Sequence, residues 1–152
     1  MPSVRRSRTL ATSPEQIWKV VADPHHLPRW WPRVERVEAV EGEEFTELMR
    51  SRKGKAVRAD FRLLEREDCR RLVWGQLIEG TPFARVLASA ETEIELAPDG
   101  TATEVSIELR QALRGVFPNR TLSVPWLGAW LVRKAARATV EEALDNLERI
   151  VG

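Results

Sequence analysis

The sequence predicts an α+β domain. An antiparallel sheet of about seven strands is covered by one long C-terminal helix, with two short helices after the first strand. Three observations carry this expectation. Between residues 34 and 113, β-rich runs are separated by turn signals with no helical periodicity between them. From Trp126 to Val151 there is no proline, no glycine after Gly128, and an apolar residue at every third or fourth position. The segment Ser13 to Pro32, SPEQIWKVVADPHHLPRWWP, holds a helix start, a helix stop and a Trp pair.

Val4 to Ala11 reads as the first strand. Ser13 is an N-cap, Pro14 suits the first helical position, and Gln16 completes a capping box. Ile17, Val20 and Val21 then share a face, with Trp18 beside them. Asp23-Pro24 stops this helix, because a residue before proline avoids the helical region. Leu27 to Trp31 suits one more short turn before Pro32.

Val34, Val37 and Val40 do not strictly alternate, yet their β-branched side chains predict a strand. Glu41-Gly42-Glu43 turns the chain into a strand over Phe45 to Arg52, and Lys53-Gly54-Lys55 turns it again. Ala56 to Glu67 alternates, with Val57, Ala59, Phe61 and Leu63 opposite Arg58, Asp60 and Arg62. Arg71 to Glu79 follows, with Leu72, Trp74, Gln76 and Ile78 on one side. Ala84 to Leu96 reads as a long strand, with Val86, Ala88, Ala90, Thr92, Ile94 and Leu96 inward. On that reading Glu91, Glu93 and Glu95 form a solvated face. Pro98-Asp99-Gly100 is a hairpin signal, and Thr101 to Leu113 pairs back. Residues 114 to 124 read as a loop. Ser123 and Pro125 open the final helix, whose face is Ala129, Val132, Ala136, Val140, Ala143, Leu147 and Ile150. At 1.5 Å per residue it is roughly 38 Å long, enough to cross a sheet.

The chain has 152 residues, which fits a single domain over 1–152. Charged residues make up 31% but nearly cancel to +1, which argues against a nucleic-acid surface. Cys69 is the only cysteine, so an intramolecular disulfide is excluded and a reducing cytoplasm is expected. Arg5, Arg6 and Arg8 are followed by no apolar run, so neither a signal peptide nor stable membrane insertion is expected.

Ala129, Ala136 and Ala143 place small side chains where the final helix meets the sheet, leaving volume for a cavity. The expected ligand-contacting walls are Trp30, Trp31, Phe61, Trp74, Phe83, Trp126 and Trp130. Trp30 and Trp31 are adjacent, so one seals the core while the other approaches the pocket. Arg58, Arg62, Gln76 and Arg85 supply polar contacts only if they turn inward. The Arg58-Asp60-Arg62 trio is a solvated outer face in one register and a carbonyl-polarising row in the other.

The element order, the Ser13 to Val34 segment and the strand containing RRLVWG resemble bacterial polyketide cyclase/dehydrase-type proteins. These belong to the START-like or Bet v 1-like (SRPBCC) superfamily. The resemblance spans nearly the whole chain. It implies a helix-grip fold: a curved antiparallel sheet wrapped around the long C-terminal helix, with a cavity between them. It also implies a hydrophobic ligand such as a lipid, polyketide or quinone, and no cofactor. The turn Glu41-Gly42-Glu43-Glu44 departs from the glycine-rich loop of plant members, and the sequence has no tyrosine to supply a catalytic hydroxyl.

His25-His26 invites a metal or acid–base reading, but neighbouring histidines rarely chelate one ion and no further ligand completes a set. Glu67 and Asp68 argue against Cys69 as a nucleophile, and no hydrolase triad, phosphate loop or dinucleotide motif is present. Three functions therefore compete: a non-catalytic hydrophobic binder or carrier, a polyketide cyclase/aromatase, and a protein-interaction module. The last would use Val116, Phe117, Leu122, Val124 and Trp126, a stretch equally suited to a pocket lid or a homodimer contact.

Overall fold

The computed structural model describes residues 3–50, 54–114 and 125–151, with side chains of the last stretch from Arg133 onward. The chain runs β1 (Ser3–Leu10), α1 (Pro14–Val21), a 3-10 turn (Pro24–His26), α2 (Leu27–Trp30), β2 (Val34–Glu41) and β3 (Glu44–Arg50). It continues through β4 (Ala56–Glu67), β5 (Arg71–Leu77), a 3-10 turn (Pro82–Arg85), β6 (Leu87–Asp99), β7 (Ala102–Leu113) and α3 (Pro125–Val151). The strands form one seven-stranded sheet in the order β1-β7-β6-β5-β4-β3-β2. All six pairings are antiparallel.

Local chemistry sets the early elements. The Ser13 hydroxyl accepts from the Gln16 amide at 3.3 Å and caps α1. Asp23 then accepts from the His25 amide at 3.0 Å, so the residue that stops one helix caps the next turn. The irregular valine spacing of β2 has a structural cause. Register shifts fall between Val34 and Arg36 and between Glu38 and Glu41, and Ala39 takes a positive φ of 51°. These irregularities let Val34, Val37 and Val40 all reach the core.

The helix α3 lies against β1, β7 and α2. Val140, Ala143, Leu144 and Leu147 are fully buried and join Ile94, Val105 and Ile107 in the main core. Ion pairs edge this seam. Arg6 meets Glu141 at 3.2 Å, and Arg8 meets Glu141, Glu148 and Asp145 of the same helix. The Asn146 side-chain amide donates to the Trp30 carbonyl at 3.1 Å, tying α3 to the end of α2.

Two sequence expectations change. The strand expected from Ala84 begins at Leu87, because Pro82 opens a 3-10 turn. A register shift between Leu87 and Ser89 then reverses the faces, burying Leu87 and leaving Val86 and Ala88 exposed. The glutamate row of β6 is not uniformly solvated either. Glu93 is buried on the convex face, where Arg71 at 2.8 Å, Arg110 at 3.0 Å and Arg5 at 3.6 Å surround it. Burial alone would raise its carboxyl, but hydrogen bonds from Arg71 and Arg110 outweigh that and hold it below the usual glutamate value.

Leu147→Ala should cost about 2–5 kcal/mol in chemical denaturation, because Leu147 is completely buried at the seam. A loss under about 1 kcal/mol would contradict this seating of α3.

Candidate ligand cavity

The concave face of the sheet and α3 leave a cavity of about 310 Å³. Four of the expected aromatic walls line it: Trp31, Phe61, Trp74 and Phe83. Among the described residues, the helix contributes small groups there, Ala135, Ala136 and Thr139. Ala143, one turn beyond Val140, is fully buried in the main core instead. The alanine stripe therefore packs closely at one end and leaves room at the other. An open cleft of about 640 Å³ adjoins the cavity and shares Phe83, Leu87 and Gln111 with it.

The aromatics form a linked set. Trp30 and Trp31 meet edge to face at 5.3 Å, and Trp31 meets Trp74 in the same way at 6.1 Å. Phe45 stacks on Phe61 at 5.4 Å and approaches Trp74 at 6.3 Å. Trp30 is fully buried and does not line the cavity; it is the seal, and Trp31 is the wall. The side chains of Trp126 and Trp130, and the apolar stretch from Val116 to Val124, lie outside the described residues.

Arg58, Asp60 and Arg62 do not line the cavity, and Arg58 lines the adjoining cleft. Asp60 accepts from Thr46 at 2.6 Å and from Arg58 at 3.3 Å, while Arg62 pairs with Glu44. The register leaves this trio on the outer face, as expected when Val57, Phe61 and Leu63 point inward. Among the described residues no three His, Cys, Asp or Glu side chains assemble into a metal-binding group.

Of the expected polar contacts Gln76 reaches the cavity, and a second polar group there, Glu47, is not among them. Gln76 of β5 lines it, and its Nε2 is buried without a hydrogen-bond partner. Glu47 of β3 also lines it at 2% exposure. Burial without a compensating charge pushes the Glu47 carboxyl up to about 8. Sequence reasoning leaves Glu47 within an acidic run from Glu35 to Glu47. The signal that could have found it is the alternation Phe45, Glu47, Met49, which places this glutamate on an apolar face.

Seven antiparallel strands gripping a C-terminal helix define the helix-grip, START-like class. The chain belongs to the family described as polyketide cyclase / dehydrase and lipid transport, whose model matches residues 1–152. Comparison with curated proteins gave no match. Among solved structures, a protein of Thermus thermophilus is similar at 26% identity and a TM-score of 0.74, with 99% of this chain and 97% of that one covered. A START superfamily protein from Mycobacterium smegmatis is similar at 16% identity and a TM-score of 0.74, with 98% and 96% covered. The di-domain ARO/CYC StfQ from the steffimycin biosynthetic pathway is similar at 12% identity and a TM-score of 0.79. That match covers 98% of this chain and 50% of StfQ.

Glu47 makes stability depend on pH in a defined direction. An ordinary glutamate ionises near 4.5, whereas folded Glu47 holds its proton to about 8. Its favourable contribution is therefore complete below pH 4.5 and is lost as pH rises towards 8. Glu47→Gln should flatten this slope and, above pH 8, exceed the parent protein by about 2–4 kcal/mol. Denaturation curves of the two proteins that stay parallel across this range would contradict a neutral Glu47.

Proposed function

We propose that this protein binds or carries a hydrophobic small molecule in the cavity between sheet and α3, without transforming it. The aromatic-walled cavity of about 310 Å³, opening through Phe83 and Leu87 to the adjoining cleft, is the observation that carries the reading. The family description, which includes lipid transport, supports it. The ligand classes favoured are lipids, polyketides and quinones. The setting we favour is the reducing cytoplasm, with no cofactor required. None of the described helices is long and apolar enough to cross a membrane.

A polyketide cyclase or aromatase is the second reading. The fold of StfQ and the uncharged Glu47 carboxyl inside the cavity favour it. Against it, Arg58, Asp60 and Arg62 pair on the outer face, the register in which they do not polarise a substrate carbonyl.

Native mass spectrometry of gently purified protein should find a small-molecule adduct. Thr139→Trp, which fills the cavity from α3, should lower its occupancy at least about tenfold while leaving far-UV circular dichroism unchanged. Absence of any adduct, with no Trp fluorescence change or thermal shift against lipids, quinones and polyketides, would refute the binding reading.

A further inference from the structure

The cavity holds two buried polar groups that the fold itself leaves unpartnered. Gln76 Nε2 is buried and has no acceptor, and burial alone, with no hydrogen bond or ion pair from a described residue, raises the Glu47 carboxyl. Each such group is costly unless something satisfies it. We propose that the cavity selects an uncharged, mostly apolar ligand bearing carbonyl-type oxygen, accepting a hydrogen bond from Glu47 at one side of β4 and, where the ligand carries a second such oxygen, from Gln76 at the other. This rests on the cavity-binding reading above and adds the chemistry of its ligand.

The register places the two donors. Glu47 lies opposite Ala59 on β4, and Gln76 lies opposite Phe61 on the other edge of the same strand. They therefore flank β4 on the concave face, two strands apart, or about 10 Å across. A ligand of one or two rings lying over β4 spans that distance, with Phe61 and Trp74 against its faces.

Charge excludes the other classes of ligand. No lysine or arginine is among the described residues lining this cavity, so a carboxylate held inside it beside Glu47 would lack a counter-ion there; Lys55 and Arg58 line the adjoining cleft instead. The other titratable group along the lining is Glu91, whose carboxylate lies 3.8 Å from Arg110. The remaining described lining groups from α3, β4 and β7 are uncharged, so none of the described residues lining the cavity is a cation that would hold Glu47 ionised. An ammonium ligand would require the ionised form of Glu47 and would leave the Gln76 donor unsatisfied. A ketone or quinone oxygen suits the neutral carboxyl, and a second such oxygen suits the amide.

The test uses four naphthalenes of closely matched shape: 2-acetylnaphthalene, 2-ethylnaphthalene, 2-naphthoate and 2-(1-aminoethyl)naphthalene. Binding to the full chain is followed by Trp fluorescence and calorimetry at about pH 6.5 and about pH 9. The ketone should bind about tenfold tighter than the hydrocarbon at the lower pH and lose most of that advantage at the higher one. Glu47→Gln retains a donor, so it should keep the ketone preference and lose its pH dependence. Glu47→Leu should keep only the part of the ketone preference that Gln76 supplies, with no pH dependence. Equal binding of ketone and hydrocarbon by the parent protein overturns this inference alone. So does a preference for the amine that strengthens at the higher pH. Failure of all four compounds to bind overturns this inference, and the cavity-binding reading falls with it only where native mass spectrometry also finds no adduct and lipids, quinones and polyketides give no response.

Discussion

The C-terminal half of α3 is held on the sheet by side chains without solvent exposure: Val140, Ala143, Leu144 and Leu147 above Ile94, Val105 and Ile107. Burial of several large aliphatic groups, at about 1.5–3 kcal/mol each, exceeds anything the surface ion pairs of Arg6 and Arg8 contribute. The seam therefore fixes the angle at which α3 crosses the sheet. The helix is anchored where its residues are large. One turn earlier it presents Ala135, Ala136 and Thr139, and the sheet opposite presents Trp74, Gln76 and Leu109. Small groups facing a concave surface cannot reach its floor. The cavity follows from anchoring the helix over Val140 to Leu147 and placing Ala135, Ala136 and Thr139 one turn earlier.

That arrangement is legible in the sequence to the extent that it depends on period. Alternation in Ala56–Glu67 separates Val57 and Phe61 from Arg58 and Arg62, and the structure keeps that division. Spacing of three and four residues locates the buried side of α3. Irregularities are harder to read. Val34, Val37 and Val40 break alternation because β2 shifts register twice, and a sequence shows the break without its cause. The shift between Leu87 and Ser89 inverts a face that simple alternation continues back to Val86.

Charged residues show where period stops being informative. Alternation puts Glu93 on the correct face, but its burial comes from Arg5, Arg71 and Arg110, which reach it from three other strands. Such a cluster depends on strand order, which one chain read linearly does not contain. Glu47 is the opposite case. Its face is available from Phe45 and Met49, and the surrounding acidic residues hide it.

The two buried glutamates therefore separate the structural from the functional use of a carboxylate. Glu93 lies where three guanidinium groups offset its loss of water, and its carboxyl is held below the usual range. Replacing such a network is a question of sheet stability. Glu47 lies where nothing offsets that loss, and its carboxyl rises to about 8. An aliphatic side chain of similar volume would serve the core better at that position. The fold gains nothing from this carboxyl at neutral pH, yet it stands on the wall of the cavity beside a second unsatisfied donor. A group that costs the protein stability is best accounted for by the ligand-bound form, in which ligand oxygen accepts the hydrogen bond the fold leaves unmade.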